Sequence, residues 1–112
     1  MKINAAIQLL PLGASDKKYQ IIDEAIELIQ KSGLSYKVCP FETVVEGNSA
    51  EVYKLIQQIQ ESTLRQGCEE LLLNIKIHAA NKDLFFSDKT KKYDSGRAIF
   101  DPGARDPEMD RL

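Results

Sequence analysis

Read for the spacing of apolar and polar positions, the chain divides into short alternating stretches and two longer stretches of helical period. Lys2 to Leu10 holds β-formers and ends at Pro11-Leu12-Gly13, where proline withdraws a backbone donor and glycine permits a turn, which predicts a first strand. Ser15 stands at a capping position, and Tyr19, Ile22, Ile26 and Ile29 then recur at helical spacing up to Lys31 and Gly33. Leu34 to Cys39, closed by Pro40, and Phe41 to Glu46, closed by Gly47, read as two strands joined too tightly for a parallel crossover, hence a hairpin. Asn48 followed by Glu51 resembles a capping box, and Val52, Leu55, Ile56 and Ile59 predict a second helix running toward Gly67. Glu70 to His78 then alternates Leu71, Leu73, Ile75 and Ile77 with Leu72, Asn74, Lys76 and His78, which predicts a last strand.

The resulting order, β-α-β-β-α-β, is the split pattern of a ferredoxin-like α+β sandwich: a four-stranded antiparallel sheet with two helices on one face. If Ile3, Ala5, Ile7 and Leu9 join Leu71, Leu73, Ile75 and Ile77 beneath the helices, then Asn4, Ala6, Gln8, Leu72, Asn74, Lys76 and His78 point away from them. That second face is expected to be uncovered. Its mixed composition suits a ligand or a partner, and it equally suits a solvated antiparallel sheet. Ala6, Leu72 and Val45 would stay exposed there without a second subunit, so a homo-oligomer is expected. Beyond His78, Asn81 to Asp83 reads as a turn, Leu84 to Phe86 as a short extended piece and Ser87 to Tyr93 as a capped helical turn. The expected domain is 1–93, with 94–112 a C-terminal tail rich in proline, glycine and charge and anchored only by Ile99-Phe100.

With 112 residues the chain has the size of one domain, and 43% hydrophobic with 29% charged residues is an ordinary globular balance. A formal charge of -2 argues against a protein whose main partner is a nucleic-acid backbone, and the first strand lacks the aromatic residues on which RNA-binding sheets stack bases. Cys39 and Cys68 stand far apart, which predicts neither a disulfide framework nor a zinc knuckle and fits a reduced, cytoplasmic setting. Asn4 and Gln8 interrupt the apolar run at the start, so it makes a poor signal peptide or membrane segment. No catalytic residue and no metal site is assigned: a single histidine, His78, has neither a nucleophile nor clustered soft ligands beside it in the pattern. The acids Asp23, Glu24 and Glu27 and the run Lys89-Thr90-Lys91-Lys92 read as solvated surface. Pro40 to Gly47 is more informative. Its alternation places Phe41, Thr43 and Val45 on one face with Glu46 at the sheet rim, so a hydroxyl and a carboxylate are available to a small cationic or aminated ring. Alternatively, Thr43 is there for β-propensity and Glu46 supports the N-terminus of the second helix.

Taken in order, Ala6-Ile7-Gln8-Leu9-Leu10-Pro11-Leu12-Gly13, Ile22-Asp23-Glu24-Ala25-Ile26, Ser32-Gly33-Leu34, the stretch Pro40 to Gly47 and Lys76-Ile77-His78 resemble the small thiamine-binding proteins related to YkoF. The resemblance runs from residue 1 to about 80 and extends to Tyr93 through Asp88-Lys89-Thr90, leaving the tail unmatched. It implies a ferredoxin-like fold, dimers joined sheet edge to sheet edge, tetramers in which sheets face one another, and binding of thiamine or its hydroxymethylpyrimidine part without turnover. Carried over by position, the motif residues are Pro11, Thr43 and Glu46, with Lys76 at a position usually basic. Strand parity adds Gln8 and His78, and Phe41 is placed to stack on a ring. The expected role is a carrier or sensor of the vitamin with no catalytic cofactor. The competing role is a structural or regulatory subunit that uses the open sheet for protein contacts.

Overall fold

A computed structural model of the chain describes residues 1–13 and 16–94. Its elements are β1 (Lys2–Leu12), α1 (Lys18–Lys31), β2 (Ser35–Val38), β3 (Thr43–Asn48), α2 (Ser49–Arg65), β4 (Glu70–His78) and α3 (Phe86–Asp94). The four strands form one antiparallel sheet in the order β2-β3-β1-β4, the ferredoxin-like arrangement expected, with β1 in the interior. β3 covers only Lys2 to Ile7 of β1, whereas β4 follows it from Asn4 to Leu12. That difference explains why the strand runs past its predicted end at Leu10. With β3 absent beyond Ile7, one flank of β1 is an edge, and an edge accommodates Pro11, which has no backbone donor. The turn comes at Gly13, whose φ of +74° lies in the left-handed region glycine tolerates.

One face of the sheet packs on α1 and α2. Ile3, Ala5, Ile7 and Val45 from the sheet meet Ala25 and Ile29 of α1 and Val52, Leu55 and Ile59 of α2, with Leu9, Leu73 and Ile75 at the margin. The fully buried Val45 shares the parity of the core and so is not exposed on the second face, as had been expected. The phase of α1 also differs from the predicted stripe: Ile21, Ala25 and Ile29 are buried, Ile22 and Ile26 are half-buried, and Tyr19 is 80% exposed. Adjacent apolar pairs at 21/22 and 25/26 satisfy the helical period in either phase, so packing decides: Ile21 meets Cys68, Leu9 and Leu71, and Ala25 and Ile29 join the core of the sheet and α2. The acidic side of α1 is solvated as predicted, and an exposed ion pair joins Glu27 to Lys31 at 2.7 Å. Its hydrogen bond and charge hold the Glu27 carboxyl below its ordinary value. Lys17 is the residue at the helix N-terminus and makes no side-chain cap, while Ser15 lies outside the described residues. α2 is capped as expected, with Asn48 Oδ1 accepting from the Ala50 amide at 3.2 Å.

The hairpin forms two residues out of its predicted frame. β3 begins at Thr43 and continues through Gly47 to Asn48, so Phe41 and Cys39 lie in the connection rather than in strands. Gly47 does not end the strand because its role there is steric: a Cβ would stand 2.5 Å from Leu34 Cδ2, so only glycine lets the buried Leu34 lie flat on β3.

The second face is not bare. After β4 the chain folds back so that the Leu84 amide donates to the Lys2 carbonyl at 3.0 Å and Asn4 Nδ2 donates to the Leu84 carbonyl at 3.2 Å. Asn4 points away from the core, so this return segment and the start of α3 cover part of the face that strand alternation had left open. Among the described residues, no helix is long and apolar enough to cross a membrane.

Gly47→Ala is expected to cost about 1 to 3 kcal/mol by overpacking against Leu34. In urea denaturation, Leu34→Ala should recover part of that loss, so the double variant should be more stable than the sum of the two single changes predicts.

Candidate functional site

Six of the seven residues singled out from the sequence separate into two groups around two different spaces, and β3 alternates between them. Thr43 faces the helices and is 8% exposed, whereas Glu46 lies with Val44 on the second face.

The first group surrounds a cleft of about 280 Å³ between the free flank of β1, the hairpin connection and α1. It exists because β3 begins only at Thr43, opposite Ile7, leaving the next stretch of β1 without a neighbour on that side. Gln8, Phe41 and Thr43 line it together with Glu42, and Ile22 and Ile26 form the apolar wall. The Cys39 amide donates to the Glu42 carbonyl at 2.9 Å and holds the connection in shape. Among the described residues the Thr43 hydroxyl has no hydrogen-bond partner, although its residue is buried. Gln8 is tied sideways, its Oε1 accepting from Asn74 Nδ2 at 3.1 Å. Phe41 is 85% exposed, a flat apolar surface beside a polar lining.

The second group stands in rows across the other face. Register places Glu46, Asn4 and His78 side by side, and Val44, Ala6 and Lys76 in the next row. An open hollow of about 270 Å³ is lined by Asn4, Ala6, Val44, Lys76 and His78 and bordered by Phe86 and Lys89 of α3. Glu46 accepts a short hydrogen bond from the Phe86 amide, the first residue of α3. A carboxylate at a helix N-terminus satisfies an otherwise unpaired donor and complements the helix dipole. The helix it supports is thus α3, not α2. Pro11 is buried near the far end of β1 and lines neither space. Cys39 and His78 stand toward opposite edges of the sheet, beyond β2 and on β4 respectively. Among the described residues there is no group of histidine, cysteine and carboxylate side chains able to hold a metal.

A sequence model of the family described as "Thiamine-binding protein" matches residues 5–94, which takes in every element from β1 to α3. The chain belongs to the thiamine-binding protein family. A UPF0045 protein of Clostridium perfringens, CPE1503, is 27% identical over 90 residues, covering 80% of this chain and 95% of that relative. Among solved structures, a DUF77 domain of unknown function from Bacillus cereus superposes with a TM-score of 0.78 at 28% identity, covering 83% of this chain and 90% of the other. A Thermotoga maritima protein, TM0486, described as a candidate in thiamine biosynthesis or salvage, superposes with a TM-score of 0.75 at 26% identity, covering 83% and 99%.

Glu42 and Asn4 were not singled out from the sequence. Glu42 adjoins the recognised Thr43 and faces the cleft only because the connection turns there. Asn4 looked like one polar residue on a solvated face, and its 4% exposure results from the return segment.

Replacing Glu46 by alanine removes an acceptor from the α3 N-terminus. Hydrogen bonds to charged groups contribute about 1.5 to 3 kcal/mol, so the Phe86 amide should exchange with solvent at least about tenfold faster by NMR. Unchanged exchange would show that Glu46 does not anchor this helix.

Proposed function

We propose that this protein binds thiamine, or its hydroxymethylpyrimidine part, in the cleft at the hairpin connection and acts as a carrier or sensor without turning the ligand over. The observation that carries this reading is the Thr43 hydroxyl, which has no hydrogen-bond partner among the described residues and belongs to a largely buried residue on the wall of an otherwise largely apolar cleft. An aminopyrimidine both donates and accepts, and a hydroxyl can do either. Gln8, with its side chain tied to Asn74, borders the cleft along β1. Phe41 supplies a face for stacking, and the Glu42 carboxylate, half-buried at the rim, suits the thiazolium cation. In this arrangement the acid that meets the ligand is Glu42, while Glu46, Lys76 and His78 serve the other face. Membership of the thiamine-binding family supports the ligand class.

Calorimetric titration with thiamine and, separately, with hydroxymethylpyrimidine tests the proposal. Thr43→Val keeps the shape and removes the hydroxyl. A neutral hydrogen bond contributes about 0.5 to 1.5 kcal/mol, so affinity should fall roughly two- to tenfold. Phe41→Ala should weaken binding and leave the melting temperature nearly unchanged, because the ring is exposed. No heat with either ligand would sink the reading.

We also propose that residues 1–93 form the binding domain and that copies associate in a cytoplasmic homodimer or homotetramer. Leu72, 48% exposed, leaves apolar surface on the second face, and among the described residues the outer flanks of β2 and β4 have no strand partner. The tail beyond Asp94 lies outside the described residues. Light scattering on the full chain and on residues 1–93 should give the same multimer with the same thiamine affinity. A monomer would remove the assembly. A multimer with no affinity for either ligand would favour a structural or regulatory subunit.

A further inference from the structure

The hollow beneath α3 contains a polar group that its surroundings leave unused. Asn4 is 4% exposed, and its Nδ2 donates to the Leu84 carbonyl at 3.2 Å. That bond fixes which way the amide faces, because turning it over would set oxygen against oxygen. Asn4 Oδ1 is therefore a buried acceptor, and among the described residues it has no hydrogen-bond partner. Buried polar atoms are nearly always paired, so an unpaired one lining a cavity marks a place where a donor belongs.

The chemistry around it is equally specific. Register sets His78 beside Asn4 and Lys76 beside Ala6, and Lys89 reaches the same hollow from α3. Among the described residues none of these three side chains makes a hydrogen bond or an ion pair. The carboxylate in the row, Glu46, is engaged by the Phe86 amide. Ala6 provides an apolar floor and Phe86 an apolar side wall. We propose that this pocket is a second ligand site, for a small ring that carries an N–H or O–H donor and an anionic group. The donor meets Asn4 Oδ1, the ring lies against Phe86 and Ala6, and the anion is held by Lys76 and Lys89 with His78 beside them. The proposal is independent of the thiamine cleft, which opens on the other face of the sheet and uses none of these side chains.

Two probes share this chemistry and differ in the anion: 4-aminobenzoate, a carboxylate, and the phosphate ester of hydroxymethylpyrimidine. Each is titrated into the full-length 15N-labelled protein, with benzoate, which lacks the donor, and aniline, which lacks the charge, as controls. At least one probe should shift the Asn4 side-chain amide signals and saturate, and benzoate and aniline should bind at least tenfold more weakly than 4-aminobenzoate if that probe binds. Binding by one probe alone identifies the anion as carboxylate or phosphate. Lys76 and Lys89 are exposed and unpaired among the described residues, so the double variant Lys76→Met, Lys89→Met should fold normally and lose at least tenfold in affinity. The proposal is overturned if neither probe moves the Asn4 signals, which would leave water as the partner of Oδ1. It is also overturned if the double variant binds as tightly as the parent, or if binding shifts Thr43 and Phe41 in place of Asn4.

Discussion

Both spaces in this protein depend on the register of β1, which is paired along one flank for nearly its whole length and along the other for only half of it. Full pairing with β4 fixes which side chains face the helices, because a slip by one residue would send Ile3, Ala5 and Ile7 to solvent. Half pairing with β3 leaves a flank of β1 free next to the hairpin connection, and that free flank is one wall of the cleft. A longer β3 would continue the sheet across this place and close it. The cleft is thus a consequence of unequal strand lengths, and the core beneath it can remain closely packed.

β3 couples the two faces. Thr43 looks into the cleft and Glu46 holds the first turn of α3, so one short strand supplies a hydroxyl on one side and supports a helix on the other. The opening of β3 is constrained by the hairpin connection and its end by Gly47, where Leu34 lies flat against the backbone, and Asn48, which caps α2. There is little room for this strand to shift without disturbing the core. A ligand on either face therefore meets side chains whose positions are set in advance, which lowers the ordering cost of binding.

Much of this could be read from the residues in order. The period-two alternation of Glu70 to His78 is local, as are the cap at Asn48 and the apolar stripe of the second helix, so the element order and the ferredoxin-like sheet followed from them. Thr43 and Phe41 were recognisable as candidates from the stretch that contains them. The phase of α1 was not decided, because adjacent apolar residues satisfy the helical period twice over and only packing on the sheet and α2 distinguishes them. Nor were the true ends of the hairpin strands, which are set by pairing with β1 and by the Leu34–Gly47 contact across the sheet.

The separation of the candidate site residues into two faces shows where local pattern stops being sufficient. Alternation grouped Thr43 with Phe41 and Val45 and left Glu46 at the sheet rim, and it could not say that a helix beyond β4 would return to meet Glu46. That contact joins residues 40 positions apart, and the bond that buries Asn4 joins residues 80 apart. The sequence by itself determined the order of elements and which residues of a strand share a face, since backbone geometry imposes those periods locally. Only the tertiary structure decided which exposed-looking residues became enclosed, because enclosure depends on segments that are distant in the chain and carry no periodic signal of where they will dock.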